Sequence, residues 1–186
     1  MRAHGESQGT YCTFGVKERK YVSSVIDKLA ALRIDKNIGV WGLSLGGAVA
    51  LQSLALDKRL KFGIIESTFT DYPSVAQDYT RRILNFNLPS FANYLIKRSG
   101  EIADFDPYDA APVNYCPDIS QTVFMAHGTE DVHIDSIYMS KNFTALPYNS
   151  NNQKTFVKGA THGNLWEVGG QVYFGNVKDF LLFSHQ

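Results

Sequence analysis

The sequence predicts an α/β fold of three layers, in which a mostly parallel sheet lies between two layers of helices. Short apolar runs, typical of strands buried on both faces, alternate with longer segments of helical periodicity. Apolar residues make up 44% of the 186 residues, which excludes disorder. A chain of this length can form one domain with a buried core that needs no disulfide or metal.

The elements alternate along the chain in the order α-β-α-β-α-β-α-β-α. The first helix, over 18–32, is amphipathic, with Val22, Ile26 and Leu29 at helical spacing. Apolar runs predict strands at 38–41, 62–65, 122–126 and 154–157. The segments between and after them predict helices at 48–55, within 72–104, at 134–146 and at 172–183, and prolines mark a loop near 106–112.

Charge and hydropathy exclude several classes of partner. Lys and Arg number 18 and Asp and Glu number 18, so the formal net charge is zero. Nucleic acids and anionic membrane surfaces are bound mainly through excess Lys and Arg, so neither is an expected partner. The uncharged stretch 37–56 carries Gly42 and Gly46 at the spacing of a dimerising transmembrane helix. Its glycines and polar residues lower its hydropathy, so no transmembrane segment is expected.

The two cysteines, Cys12 and Cys116, form no metal-binding pattern. Both are therefore expected as free thiols. Such sparse use of cysteine favours a reducing compartment such as the cytoplasm.

A Gly-x-Ser-x-Gly motif, with Ser44 at its centre, lies between a predicted strand and a predicted helix. In that context the motif is typical of a nucleophilic serine on a sharp, strained turn. Gly42 and Gly46 are expected to be required, because a Cβ atom at either would clash in the turn. The helix N-terminus would place backbone N–H groups, such as that of Leu45, beside a developing oxyanion. The alternative is a tight glycine turn in which Ser44 has no chemical role, whereas the pattern of a phosphate loop is absent.

A serine nucleophile needs a base, and the base needs an orienting acid. Both should lie in loops at the carboxyl edge of the sheet, with the acid before the histidine in the chain. His162 follows the last strand and is the candidate base, and Asp131 follows the strand at 122–126 and is the candidate acid.

Other residues remain possible at both positions. His133 is the rival base, whereas His127 is expected to shape a turn. Among the acids, Asp71 follows the strand at 62–65 but could instead cap a helix. Glu130 neighbours Asp131 and is expected to point elsewhere.

These motifs together resemble those of the α/β-hydrolase family, in particular its esterase- and peptidase-like branch. Residues 2–9 resemble the family's Arg-Gly-His-Gly-x-Ser-x-Gly turn, and residues 42–47 its nucleophile elbow. Residues 127–131 resemble its His-Gly-x-x-Asp acid loop, and 159–162 its Gly-x-x-His base loop. The four motifs occur in the family's order over almost the whole chain.

The resemblance implies Ser44 as nucleophile, Asp131 as orienting acid, His162 as general base and the Leu45 N–H as oxyanion donor. It implies no cofactor and no metal. The expected function is hydrolysis of small carboxylic esters, with amides or peptides second, through an acyl-enzyme. The alternative is a truncated, impaired fragment or an interaction module.

The resemblance also bears on the ends of the fold. Family members carry a cap between the sixth strand and the acid loop, where residues 72–104 lie, and these could line an acyl pocket or be ordinary core helices. The family's first strands should precede Arg2, so residues 1–186 are expected to form a single partial domain with Met1 internal to a longer protein. The sheet would then have an exposed edge strand where a partner strand should lie, and the second oxyanion donor would be lacking. Thr122 and Ile134 stand where family members often have proline.

Overall fold

The computed structural model describes residues 2–34, 37–86 and 88–184, so Met1 lies outside the described residues. The described chain forms four strands and seven helices, and a short 3₁₀ helix covers Cys116–Asp118. The strands are β1 (Val40–Leu43), β2 (Phe62–Glu66), β3 (Thr122–Gly128) and β4 (Gln153–Val157). The helices are α1 (Glu18–Ala31), α2 (Leu45–Leu56), α3 (Tyr72–Leu84), α4 (Pro89–Ala103), α5 (Pro112–Tyr115), α6 (Ile137–Ala145) and α7 (Leu165–Ser184).

The four strands form one parallel sheet in the order β1-β2-β3-β4, which confirms the predicted α/β architecture. Leu43 pairs with Glu66, and Glu66 pairs with Ala126. The carboxyl ends of the first three strands are therefore aligned. The loops that follow them open on one edge of the sheet, where ligand sites of α/β folds are found.

The core lies on both faces of the sheet, because alternate residues of a strand point to opposite sides. Ile65 and Met125 pack with Leu51 and Leu54 of α2 on one face. On the other face, residues of β2, β3 and β4 pack against α7. The side chains of this second cluster include Ile64, Phe124, Val157, Tyr173, Val177 and Phe180.

Some boundaries differ from the predicted ones. The first strand begins at Val40 rather than at Ile38, and α2 begins at Leu45. The third strand runs to Gly128, so His127 lies within a strand and the prediction that it shapes a turn is wrong. Helix α7 begins at Leu165, well before residue 172, and bends at Gly170, which has a φ of 49°.

The region around the loop predicted near 106–112 also differs in detail. It is followed by the short helix α5, which starts at Pro112, a residue suited to the first turn of a helix. Helix α6 starts at Ile137 rather than at residue 134. The N–H of Ile134 is bound by the Asp131 carboxylate within the acid loop, and the Asp135 carboxylate accepts the N–H of Ile137, the first residue of the helix.

Strand β1 lies at the edge of the sheet, as expected. Among the described residues it pairs only with β2. The side chains of Trp41 and Leu43 are substantially exposed there.

The uncharged stretch 37–56 contains β1, the turn at Ser44 and α2 rather than one continuous helix. None of the helices in the described part of the chain has the length and apolar character needed to cross a membrane. Cys12 is half-buried and Cys116 is buried, and both are free thiols.

Candidate active site

Ser44 lies at the sharp turn between β1 and α2, with φ 56° and ψ −117°. Residues other than glycine rarely adopt such angles, and they persist only where the surroundings enforce them. Both backbone polar groups of Ser44 are bound by the end of β2 and the segment that follows it. Its N–H donates to the Glu66 carbonyl at 2.8 Å, and its carbonyl accepts from Thr68 Oγ1 at 2.8 Å.

Gly42 and Gly46 of the motif differ in whether the turn has room for a side chain. A Cβ atom on Gly42 would lie 2.2 Å from the Gly46 carbonyl oxygen, a backbone atom, so glycine is required there. A Cβ atom on Gly46 would meet nothing within 4 Å. The expectation therefore holds for Gly42 and is wrong for Gly46.

Asp131 is held by hydrogen bonds to both carboxylate oxygens, and its side chain is fully buried. Oδ1 accepts the backbone N–H groups of His133 at 2.8 Å and Ile134 at 2.9 Å. Oδ2 lies 2.8 Å from His162 Nδ1 and 3.1 Å from His127 Nε2. Burial alone would raise the pKa of Asp131, but the bonds from the two imidazoles and the two backbone groups outweigh it and hold that pKa well below its usual range. Asp131 is therefore an ionised acceptor.

His162 is oriented by this carboxylate. Because an ionised Asp131 can only accept, Nδ1 of His162 carries the proton and Nε2 keeps a free lone pair. The side chain is 23% exposed, so Nε2 can reach a substrate. In the described part of the chain no hydrogen bond joins His162 to Ser44. Contacts between nucleophile and base are often long before a substrate binds.

The acid loop and the base loop hold each other in place. The N–H of Glu130 donates to the Ala160 carbonyl at 2.9 Å, and the N–H of Gly159 donates to Thr129 Oγ1 at 2.9 Å. A Cβ atom on Gly128 would lie 2.2 Å from the Ala160 oxygen, so glycine is required at this crossing. The spacing between Asp131 and His162 therefore depends on backbone contacts.

The rival candidates lie elsewhere or have other partners. Asp71 caps α3 by accepting the N–H of Ser74 at 2.7 Å. Glu130 is exposed. His133 donates its backbone N–H to Asp131, and its exposed ring lies beside the His162 ring at a centroid distance of 5.6 Å.

An apolar cavity of about 390 Å³ opens beside Ser44 and Leu45. Leu45 is the first residue of α2, so its N–H has no partner within the helix. The walls come mainly from α3, α4 and the residues after β2, and none of the lining side chains is charged. They include Phe69, Tyr72, Val75, Tyr79, Ala92 and Ile96.

Phe14 also lines the cavity, although no sequence motif pointed to it. Its ring stacks on that of Tyr72 at a centroid distance of 4.0 Å. Its backbone has a φ of 52°, and Gln52 fixes it by donating to its carbonyl at 2.9 Å. The only signal in the sequence was the following Gly15, whose φ of 104° completes the turn.

No protein-family model matches this sequence, and no curated protein matches it. Solved structures do. An esterase from Pyrococcus furiosus is 22% identical with a TM-score of 0.77, over 98% of this chain and 68% of that one. An acylaminoacyl peptidase from Pyrococcus horikoshii is 15% identical with a TM-score of 0.63, over 89% of this chain and 27% of that one.

An α/β hydrolase from a Penicillium species is 18% identical with a TM-score of 0.67, over 99% of this chain and 78% of that one. The chain therefore has the α/β-hydrolase fold. The resemblance seen in the sequence motifs is confirmed at the level of the fold.

Proposed function

We propose that this chain is a serine hydrolase that cleaves carboxylic esters, with amides or peptides as a second substrate class. The observation that supports this best is a convergence at one edge of the sheet. Ser44 is held in a strained turn at the wall of an apolar cavity, and the Asp131–His162 pair follows the neighbouring strands. A serine, a histidine and an aspartate are the residue types of a catalytic triad, and this supports the proposal.

The reaction follows from the roles of these side chains. Ser44 Oγ attacks the ester carbonyl carbon while His162 Nε2 takes its proton. The negative oxygen that forms lies near the Leu45 N–H, and Asp131 stabilises the imidazolium. The ester C–O bond then breaks as His162 returns the proton to the departing alcohol. A water molecule activated by His162 hydrolyses the acyl-enzyme and restores Ser44.

The lining of the cavity favours a neutral, apolar acyl group, with residues 72–104 acting as the cap. Of the three hydroxyl-bearing side chains that α3 contributes to the lining, two are already bonded within the protein, and the third is that of Tyr79. The Tyr72 hydroxyl donates to Ser99 Oγ, and the Thr80 hydroxyl donates to the Ala76 carbonyl. Burial of each methylene is worth about 0.8 kcal/mol, so kcat/KM should rise by up to about fourfold per added methylene until the cavity is filled.

Covalent labelling tests the nucleophile directly. A fluorophosphonate probe should modify Ser44, as located by mass spectrometry, and Ser44→Ala should abolish the labelling. Ser67→Ala is the matched control, because Ser67 is buried, follows β2 and also has a positive φ of 46°. Equal labelling of the Ser44→Ala variant would contradict the assignment.

The pH profile tests the base. Protonation of His162 Nε2 removes the lone pair that accepts the serine proton, so kcat/KM for a p-nitrophenyl ester should fall as the pH is lowered. A profile that stays flat down to pH 5 would contradict the role of His162.

A second candidate function is a non-catalytic, hydrolase-like interaction module. It is favoured by the edge of β1, which is unpaired among the residues that the structure describes, and by a single assigned oxyanion donor, since the loss of one such donor typically costs 10²–10³ in kcat. Turnover of p-nitrophenyl acetate by the purified chain discriminates the two. Turnover that disappears in Ser44→Ala supports the enzyme, and turnover equal to that of Ser44→Ala supports the module.

A further inference from the structure

His127 occupies an unusual place for a polar side chain. It lies in β3, which pairs with strands on both sides, and its imidazole is fully buried. Burying a polar ring in the middle of a sheet is costly unless the ring makes hydrogen bonds. Its contacts therefore show what the ring does there.

Those contacts define which ring nitrogen carries the proton. Nε2 lies 3.1 Å from Asp131 Oδ2 and 2.9 Å from the Ile134 carbonyl oxygen. Both partners are acceptors, so Nε2 must be the donor. Nδ1 is buried and has no partner among the described residues. The arrangement fits a neutral ring protonated on Nε2, which closes the acid loop between β3 and residue 134.

Two imidazoles thus donate to the same carboxylate oxygen. Asp131 Oδ2 accepts from His127 at 3.1 Å and from His162 at 2.8 Å. Each donor draws on the same negative charge, so the bond from His127 reduces the attraction that Asp131 exerts on a protonated His162.

We infer that His127 is a positioning residue of the proposed active site: it fixes the Asp131 carboxylate and limits how strongly that carboxylate retains a proton on His162. The inference rests on the proposed function. A base must accept a proton from Ser44 and then release it to the leaving group. A carboxylate with only His162 as a side-chain donor would stabilise the protonated ring more strongly and so slow the release step.

Other ionisable groups lie near Asp131 and His162, and the variants used in the test must leave those groups unchanged. His133 lies beside His162, and Arg82 of α3 lies 3.4 Å from His133 Nδ1. Asp78 of α3 accepts the hydroxyl of Tyr138 of α6. The acid loop itself adds Glu130 and Asp135.

The test compares His127→Leu, which removes the donor, with His127→Gln, whose amide nitrogen can reach the position of Nε2. For the Leu variant we expect kcat for a p-nitrophenyl ester to fall about tenfold with KM changed by less than about twofold. We also expect the midpoint of the acidic limb of kcat/KM to move up by about half to one pH unit. His127→Gln should restore most of the kcat of the parent protein and most of its pH midpoint.

Asn142→Leu is the matched control for a general loss of stability. Asn142 is buried on α6, donates to the Phe69 carbonyl at 3.0 Å and has no hydrogen bond to Asp131. This variant should lower the melting temperature without moving the pH midpoint. If His127→Leu behaves in the same way, its role is structural and the inference is overturned.

Two further measurements keep the outcome decisive. If His127→Leu does not fold, ¹⁵N NMR of the unmodified protein reports the tautomer directly. Protonation of His127 on Nε2 supports the inference, and protonation on Nδ1 overturns it. Labelling of Ser44 in the parent protein distinguishes a failure of the proposed function from a failure of the inference about His127. If Ser44 of the parent is not labelled, the proposed function is refuted. If it is labelled but the pH midpoint of kcat/KM does not shift in His127→Leu, only the role of His127 is refuted.

Discussion

The two glycines of the Ser44 turn allow one substitution to be tested in two environments. Gly42→Ala would place a methyl group 2.2 Å from the Gly46 carbonyl oxygen, well inside van der Waals contact. Gly46→Ala would place the same group in open space, on the first turn of α2. The same chemical change should therefore have opposite effects on stability.

The expected magnitudes follow from these distances. The obstacle at Gly42 is backbone and cannot rotate away, so we expect Gly42→Ala to lower the free energy of unfolding by about 2 kcal/mol or more. For a chain of this length that corresponds to a fall in melting temperature of about 4–8 °C. Gly46→Ala removes a flexible residue from a helix and should raise stability by about 0.5 kcal/mol, or about 1–2 °C.

Thermal and urea denaturation of both variants beside the parent protein measures the difference. Fluorophosphonate labelling of each folded variant then reports on Ser44. If Gly46→Ala destabilises the protein as much as Gly42→Ala, the turn does not have the geometry described, and the interpretation of the motif is refuted.

Three further predictions concern the surroundings of the site and the fold. Thr68→Val loses the bond to the Ser44 carbonyl and should lower stability by about 1 kcal/mol in urea denaturation, whereas Thr68→Ser should not. The bond from the Arg59 side chain lowers the pKa of Asp57 to about 2, so Asp57→Asn should cost about 1 kcal/mol. The loss of unfolding free energy in Asp57→Asn should be complete above about pH 4 and should shrink as the pH falls toward 2. Denaturation of the variant and the parent at each pH measures this loss, and a loss that does not change with pH would contradict the prediction. Ala92→Phe should fill the cavity and reduce the ratio of octanoyl to acetyl ester hydrolysis by about tenfold, a ratio that does not depend on the folded fraction.

The fold was largely predictable because the strands are short apolar runs buried on both faces. The position of β1 was less so, since Trp41 and Leu43 are exposed at a sheet edge, where burial does not dictate the pattern. The start of α7 was missed because Gly169 and Gly170 suggest a helix end, whereas the chain bends at Gly170 and continues.

Some residues of the candidate site could also be predicted from the sequence, whereas others could not. Ser44, Asp131 and His162 belong to motifs whose spacing is set by the local chain, so their candidacy could be derived from sequence. The roles of Phe14 and His127 depend on contacts with distant or buried groups. Phe14 reaches the cavity through a loop conformation fixed by Gln52, and the function of His127 depends on which nitrogen carries its proton. Neither the loop conformation at Phe14 nor the tautomer of His127 produces a recognisable pattern in the sequence.

The order of the strands in the sheet equals their order in the chain, and this bears on synthesis. Each new strand can dock on a neighbour that has already left the ribosome, without displacing an earlier pair. Ser44 and Asp131 are translated before β4, and His162 follows β4. A nascent chain would therefore carry its proposed nucleophile and acid without a base until the residues that follow β4 have been made. On the proposed function, hydrolysis cannot start before β4 and the loop that carries His162 have been made.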